Sequence, residues 1–256
     1  MVHPRLKARL RAGETLFGLF LGIPSPALAE MAGWAGFDYV IVDTEHGGGD
    51  VEAASAMVRA AEAGGAEAVI RVAAGARERV LRALDTGASG VQVPMVQSKE
   101  EAQDVAASAH YPPAGVRGIA FSIRSAHYGL IPPGIYFQQS EETLVSIQIE
   151  TRRALERLDE IAQVAGIDVL FVGPTDLAQN LGHPGELTHP EVEAAIGRIF
   201  EAAQRAGKFP GILANDVLTA KRWMVRGARF LAGNGVGLVS KTFAELAGGF
   251  RALRGL

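Results

Sequence analysis

The chain has 256 residues, a formal net charge of −3 at pH 7 and no cysteine. The lack of cysteine excludes disulfides, thiolate metal sites and cysteine nucleophiles, and the charge gives no basic footprint for nucleic acid or an anionic membrane. No apolar run is long enough to span a bilayer, and the basic start "MVHPRLKARLRAGETLF" lacks the apolar core of a secretory signal. We therefore expect a cytoplasmic protein that binds neither nucleic acid nor membrane.

Short apolar runs rich in Val and Ile recur along the chain and predict eight strands. Several are apolar at every position, a pattern typical of parallel strands that are buried on both faces. In chain order, the predicted strands are residues 16–21, 38–43, 67–72, 91–96, 145–150, 169–173, 210–214 and 229–233.

Amphipathic stretches between these runs predict helices. Most begin near Ser, Thr or an acid and end near Gly, as helix starts and stops do. They are residues 25–36, 50–65, 76–88, 98–111, 151–166 and 189–208. Strands that alternate with helices predict an α/β protein, a (β/α)₈ TIM barrel that takes the whole chain, 1–256, as a single domain. The rival is a doubly wound open sheet, which would usually carry G-x-G-x-x-G after its first strand, and "GLFLGIPSP" lacks it.

One segment, residues 110–140, interrupts the alternation with Pro, Gly and aromatic residues. A long irregular connection in a compact domain is more often functional than idle. Because it comes after the fourth strand, we expect it to cover the C-terminal mouth of the barrel.

Barrel active sites lie at the C-terminal ends of the strands, and ionisable residues gather there in this sequence. The candidates are Asp43, Glu45, His46, Arg71, Gln148, Glu150 and Asp176. The lysines all lie elsewhere, which disfavours a Schiff-base lysine and pyridoxal phosphate chemistry.

Glu150 and Asp176 follow adjacent predicted strands, so their carboxylates could converge. Two close anions need a cation or a shared proton, and oxygen ligands without thiolates suit Mg²⁺ or Mn²⁺. The alternative is a solvated rim of acids placed at helix N-termini.

Asp43 and His46 are three residues apart, so Asp43 could orient an imidazole that accepts a proton. The alternative is an Asp cap beside an exposed His. Arg71 ends an apolar strand, where an anionic substrate or a structural ion pair with Asp43 or Asp85 would have to offset its burial. Backbone N–H groups around Gly173, Thr175 and Asp176, at a helix start, suit a carboxylate or phosphate.

Several motifs together resemble the HpcH/HpaI aldolases, metal-dependent (class II) pyruvate aldolases such as 4-hydroxy-2-oxoheptanedioate aldolase and 2-dehydro-3-deoxyglucarate aldolase. The resemblance covers residues from about 15 to 240. It is carried by "GFDYVIVDTEHG", "VIRV", "VQVPMVQSKEEA", "GVRGIAFSIRSAHYG", "IQIET", "GIDVLFVGPTDLAQNLGHPG" and "HPEVEAAI".

The resemblance implies roles for individual residues. Glu150 and Asp176 match the metal ligands, with Mg²⁺ or Mn²⁺ expected and Co²⁺ possible. His46 matches the catalytic histidine and Asp43 its partner. Arg71 matches the arginine at the substrate's keto oxygen, Gln148 a glutamine at the substrate site, and the backbone at Gly173 and Thr175 the carboxylate cradle. Asp85 matches an acid near a neighbouring subunit's site.

The implied reaction is the reversible cleavage of 4-hydroxy-2-oxoacids to pyruvate and an aldehyde through a metal-stabilised pyruvate enolate. The implied assembly is a homo-hexamer, a trimer of dimers, in which the last helix of the barrel is exchanged with a neighbour. Thr44 and Thr175 replace the Gly and Ala that are usual in the family's motifs, which leaves the aldehyde open. The alternatives are a related lyase that acts on a malyl- or citramalyl-type CoA thioester, and a non-catalytic barrel that binds oxoacid and metal.

Overall fold

A computed structural model describes residues 5–255 of the chain. Within that range eight parallel strands, β1 to β8, close into a barrel in chain order, which confirms the predicted (β/α)₈ architecture. Their bounds are β1 Leu16–Leu21, β2 Tyr39–Asp43, β3 Glu67–Arg71, β4 Gly90–Val93, β5 Leu144–Ile149, β6 Val169–Val172, β7 Phe209–Leu213 and β8 Phe230–Asn234. The fourth strand ends earlier than predicted because Pro94 has no N–H and Met95 adopts a φ of 56°.

Helices surround the barrel. They are α1 Leu6–Arg11, α2 Pro26–Trp34, α3 Val51–Gly64, α4 Arg77–Asp85, α5 Lys99–Ala109, α6 Pro133–Ser140, α7 Arg152–Glu156, α8 Leu158–Ala162, α9 Pro174–Leu181, α10 Pro190–Arg205, α11 Val217–Val225 and α12 Gly235–Ala252. The predicted helix over 151–166 is two short helices, since Arg157 leaves helical geometry with φ −109° and ψ 16°. Among the helices described, none is both long and apolar enough to cross a bilayer.

The interior of the barrel changes from apolar to polar along its axis. Successive side chains on a strand point to opposite faces, so alternate residues fill the interior. Leu6 and Leu10 of α1 belong to the apolar cluster that also contains Tyr39 and Phe230, whose rings stack at 4.1 Å. The inward positions at the C-terminal ends carry Asp43, Arg71, Gln92, Gln148 and Glu150, all buried. The strands therefore place a polar layer at their C-terminal ends, next to a packed apolar cluster at their N-terminal ends.

The expectation that residues 110–140 cover the C-terminal mouth is wrong. The segment follows α5, and this helix returns the chain to the N-terminal end of the barrel. Its contacts lie there. Arg117 pairs with Asp85, the last residue of α4, at 3.1 Å, and Arg124 donates to the carbonyl oxygen of Thr86 at 2.8 Å. Part of the segment is α6, which the sequence pattern did not predict.

The last helix, α12, packs little against its own barrel. Of its residues, all of which the structure describes, only Gly235 is buried. Phe243, Leu246 and Phe250 are each more than half exposed. Beside the helix start, an apolar groove of about 380 Å³ lies between α11 and the outer face of the paired strands β1 and β8.

Candidate active site

A cavity of about 500 Å³ opens at the C-terminal ends of the strands and brings together most of the predicted site residues. Among the residues that line it are Asp43, His46, Arg71, Gln148, Gly173, Thr175 and Asp176, with Phe20 and Phe171 adding apolar surface. The carboxylate of Glu150 lies against Gly173, at the edge of this cavity. Residues that are far apart in sequence therefore meet at one mouth, as the strand-end argument predicted.

Arg71 is held by two carboxylates. Asp43 and Arg71 are register partners on β2 and β3, and the guanidinium donates to both carboxylate oxygens, from Nε at 2.9 Å and from Nη2 at 2.6 Å. Nη1 lies 3.0 Å from Glu45 Oε2. Burial by itself would raise the pKa of Asp43, but the Arg71 interaction and the N–H groups of Glu45 and His46 hold it below the ordinary value. The structural ion pair considered for Arg71 is therefore formed, with Asp43.

Arg71 also faces the cavity. Its Nη1 donates to Gln148 Oε1 at 3.4 Å, and its guanidinium lies over the Phe20 ring, 5.0 Å from the ring centroid. Gln148 continues the network, because Gln92 Nε2 donates to the same oxygen at 3.2 Å and Gln148 Nε2 donates to Glu150 Oε2 at 2.8 Å. A continuous set of buried hydrogen bonds thus fixes the amide of Gln148 between the arginine and the carboxylate.

Glu150 is only 2% exposed. Burial, together with the negative charges of Asp176 and Glu45, raises the pKa of Glu150 to about 7. The hydrogen bond that it accepts from the Met95 backbone N–H, at 2.9 Å, acts in the opposite direction and lowers the pKa. A buried carboxylate that is destabilised by neighbouring acids is stabilised by a cation. This electrostatic environment fits a divalent metal ion.

Two backbone features, at Met95 and at Gly173, fix the position of the Glu150 carboxylate. Met95 takes a left-handed conformation, uncommon outside glycine, and its N–H donates to Glu150 Oε1. At Gly173, a Cβ would lie 2.1 Å from Glu150 Oε2 and 3.2 Å from Gln148 Nε2. The first distance is too short for a side chain to be accepted without movement of Glu150, and the second is a tight contact. Glycine at this position therefore keeps the carboxylate in place.

Asp176 lies in the first turn of α9, directly after the β6 strand. The first N–H groups of a helix have no acceptor within it, and in α9 the first such bond is from Leu177 to the Gly173 carbonyl. The N–H groups of Thr175 and Asp176 precede that bond and can hold an anion at the cavity. The carboxylates of Glu150 and Asp176 fit a hard cation. The N–H groups at the start of α9 fit the carboxylate of a small molecule that binds the same cation.

The predicted partnership between Asp43 and the His46 imidazole is wrong for the conformation described. Asp43 Oδ1 instead accepts the backbone N–H groups of Glu45, at 3.0 Å, and His46, at 3.3 Å. The His46 side chain is 68% exposed, and its Nε2 lies 3.8 Å from Glu45 Oε2. Arg71 outcompetes the imidazole for the Asp43 carboxylate because it is always charged and binds with two nitrogens.

Sequence reasoning missed three contributions to the site. It gave Glu45 no role, although the residue pairs with Arg71. It also passed over Gln92, whose inward position follows from the alternation of β4. The third contribution, the Met95 N–H, leaves no signal in a single sequence because its direction depends on the backbone conformation. Thr44 faces away from this chemistry and donates to the Arg71 carbonyl at 2.7 Å.

A model of the HpcH/HpaI aldolase/citrate lyase family matches residues 16–243. The chain belongs to this family. It is 40% identical over 245 residues to the pyruvate aldolase of Rhizobium etli, and the matched region covers 95% of this chain and 96% of that protein. It is 37% identical over 250 residues to the hydroxypyruvate/pyruvate aldolase of Pseudomonas aeruginosa, and the matched region covers 96% of this chain and 92% of that protein.

Solved structures agree with the sequence comparisons. The crystal structure of an HpcH/HpaI aldolase from Desulfitobacterium hafniense superposes with a TM-score of 0.91 at 31% identity and covers 99% of this chain and 98% of that one. These relatives confirm the prediction of a carbon–carbon lyase of the pyruvate aldolase type.

Proposed function

We propose that this protein is a divalent-metal-dependent aldolase that reversibly cleaves 4-hydroxy-2-oxoacids to pyruvate and an aldehyde. The observation that carries the proposal is the meeting of Glu150, Asp176 and Arg71 at the C-terminal mouth of the barrel. The two aldolase relatives, which cover nearly the whole chain, support the same reaction class.

Glu150 and Asp176 are the residues that we expect to hold the metal. Their oxygen donors suit Mg²⁺ or Mn²⁺, and Co²⁺ is also compatible with carboxylate ligands. When it is bound, the cation supplies Lewis acidity next to the keto group of the substrate, which makes the hydrogens of the adjacent carbon acidic. The hydrogen bonds from Gln148 and Met95 would keep the Glu150 carboxylate in one orientation.

Arg71 supplies positive charge where the keto oxygen becomes negative. Asp43 and Glu45 fix its guanidinium before the substrate arrives, and such preorganisation is the main source of electrostatic catalysis. Because Nη1 and Gln148 face the cavity together, the two side chains can contact the oxoacid at neighbouring positions.

The start of α9 would hold the substrate carboxylate. The N–H groups at Gly173 and Thr175 lie where a helix favours negative charge. Pro174 has no N–H, so the cradle depends on the residues around it. Thr175 is exposed at the mouth and lines the cavity, which makes it a determinant of the aldehyde accepted.

His46 is the residue that we expect to move the proton. Its imidazole is exposed at the cavity, where it can reach substrate directly or through one water. In the cleavage direction it would accept the proton of the 4-hydroxyl group while the bond between C3 and C4 breaks. In the condensation direction it would return that proton to the aldehyde oxygen.

We also propose that the chain, one barrel domain over residues 1–256, assembles as a homo-hexamer built from dimers that exchange α12. The exposed apolar residues of α12 and the apolar groove beside α11 support the exchange, because each would cover the other between two copies. Metabolite substrates and the cysteine-free chain support a cytoplasmic location.

The proposal is tested by incubating the protein with Mg²⁺ or Mn²⁺, pyruvate and a small aldehyde such as glyoxylate or glycolaldehyde, and measuring the product. Activity should disappear after chelation and return when metal is added. Activity that persists in metal-free protein would contradict the proposal. Hydroxypyruvate in place of pyruvate tests the donor, and citramalyl-CoA, which we expect to remain intact, tests the thioester alternative.

A further inference from the structure

The turn between α9 and α10 gathers side chains that the aldolase chemistry does not use. The backbone N–H of Glu186 donates to the carbonyl of His183, and the N–H of His189 donates to the carbonyl of Glu186, each at 3.0 Å. Residues three apart in such turns lie above one another. His183, Glu186 and His189, which we call the histidine turn, therefore project from the same side of the chain.

The donor atoms of the histidine turn are close together. One ligand atom from each of the three residues lies within 4.8 Å of the others. The two imidazole rings are stacked, with centroids 3.4 Å apart and planes inclined by 18°. A fourth donor is adjacent, because Glu191 Oε2 lies 2.9 Å from His183 Nε2.

The hydrogen bonds of the His189 ring are compatible with binding of a cation. His189 Nδ1 accepts a long hydrogen bond, 3.3 Å, from the backbone N–H of Glu191, which engages the lone pair of that nitrogen and leaves Nε2 as the ligand atom of this ring. Neutral imidazole is the form that binds metals.

We propose that the histidine turn, with Glu191 beside it, binds one transition-metal ion of the zinc class, separately from the metal expected at Glu150 and Asp176. Two imidazoles and carboxylates are ligands that zinc prefers and that Mg²⁺ rarely takes. With bonds of about 2.1 Å, tetrahedral ligands lie roughly 3.4 Å apart. The donors therefore have to approach one another by about 1 Å, and one of the stacked rings has to turn so that both lone pairs point at the ion.

The Glu191 carboxylate already has two side-chain partners in the structure described. His183 contacts one oxygen at 2.9 Å, and Arg152 Nη2 lies 3.5 Å from the other. A bound metal replaces the proton between His183 and Glu191, while the Arg152 contact can remain. The ion would then tie the end of α9 to the start of α10. Asp176 lies in the same short helix, α9, at its other end.

The test uses the full chain without a histidine tag and with the Glu150→Gln and Asp176→Asn substitutions, so that the catalytic metal ligands do not contribute. Titration with ZnCl₂ in a calorimeter should show one bound equivalent. His183→Asn and His189→Asn, each added to this background, should weaken zinc binding at least tenfold. At position 189, Asn retains an oxygen that can cap α10, so the stability of the metal-free protein should be unchanged.

His127→Asn, on the segment at the opposite end of the barrel, is the matched control and should bind zinc like its parent. Failure of the parent to bind zinc more tightly than about 1 mM, or equal binding by both histidine variants, would overturn the proposal. Crystals of the unsubstituted protein soaked in ZnCl₂ give a second readout. An anomalous peak within bonding distance of ring nitrogens of His183 and His189 supports the site, and peaks only elsewhere contradict it.

Discussion

Asp43 and Arg71 face each other across β2 and β3 as register partners, and their side chains form a two-nitrogen ion pair with distances of 2.9 and 2.6 Å. Both are nearly inaccessible to solvent. Since Glu45 also contacts Arg71 at 3.0 Å, one guanidinium organises two carboxylates at the base of the cavity. The pair therefore links the stability of the barrel to the orientation of the group that would contact the oxoacid.

Asp43→Asn should destabilise the protein at neutral pH and flatten its response to acid. The folded protein holds the pKa of Asp43 below the ordinary value of 3.8. The ionised carboxylate therefore contributes stability above that pH and loses the contribution as pH falls through the folded value. We expect a cost of about 3 kcal/mol near pH 7, at the low end for a broken buried pair because Glu45 still neutralises Arg71.

Urea unfolding of both proteins at a series of pH values measures this difference. It should be constant from neutral pH to about pH 5 and narrow below about pH 4. A difference that does not change with pH would mean that Asp43 acts through packing alone.

Glu150→Gln or Asp176→Asn should abolish metal-dependent activity and weaken Mn²⁺ binding at least tenfold. Each substitution removes a negative oxygen ligand while it retains the shape of the side chain. Mn²⁺ affinity measured by calorimetry, beside the aldol assay, separates lost binding from lost turnover. Glu201→Gln, an exposed acid on α10, is the control. Full activity with unchanged affinity in either variant would show that the ligand assignment is mistaken.

Gly173→Ala should impair the site while leaving the barrel folded. The added Cβ would lie 2.1 Å from Glu150 Oε2, so the carboxylate has to move away from its hydrogen bonds with Gln148 and Met95. Mn²⁺ affinity and kcat/KM should both fall, by roughly 10²-fold for the rate, as for an active-site displacement of about 1 Å. Gly134→Ala, where nothing lies within 4 Å of the added atom, should behave like the wild type. Equal behaviour of the two variants would refute the argument.

His46→Asn should slow the proton transfer and spare metal binding. Loss of a general base costs typically 10²- to 10⁴-fold in rate. The imidazole is exposed and lies 3.8 Å from Glu45, so its removal should not disturb the buried acids. The aldol rate and the Mn²⁺ affinity are the two readouts, with His127→Asn as the control. A rate within a factor of about three of the wild type would exclude His46 as the base.

Phe243→Asp combined with Phe250→Asp should weaken the assembly. Both rings are more than 60% exposed on α12 in the isolated chain, so a charge there should cost nothing to a monomer and should disfavour burial between copies. Sedimentation velocity measures the mass of wild type and variant. A wild-type monomer would contradict helix exchange, and so would a variant that keeps the wild-type mass at micromolar concentration.

Much of the architecture could be predicted because the signals are local. "DYVIVD" and "EAVIRV" are buried on both faces, and their two-residue period places Asp43 and Arg71 on the same inward side. The details that failed depend on tertiary structure. The competition between Arg71 and His46 for Asp43 is decided by distances across strands. The left-handed Met95 and the position of residues 110–140 follow from where the chain is redirected after β4 and α5.

The division of the barrel interior into an apolar base and a polar upper layer has a practical consequence for redesign. Libraries aimed at a different aldehyde can vary Ile23, Thr175 and Val236, which line the cavity near its opening, without disturbing the stacked rings of Tyr39 and Phe230. The residues that choose the substrate and those that hold the barrel together therefore lie at opposite ends of the same eight strands, so the first set can be diversified while the second is left unchanged.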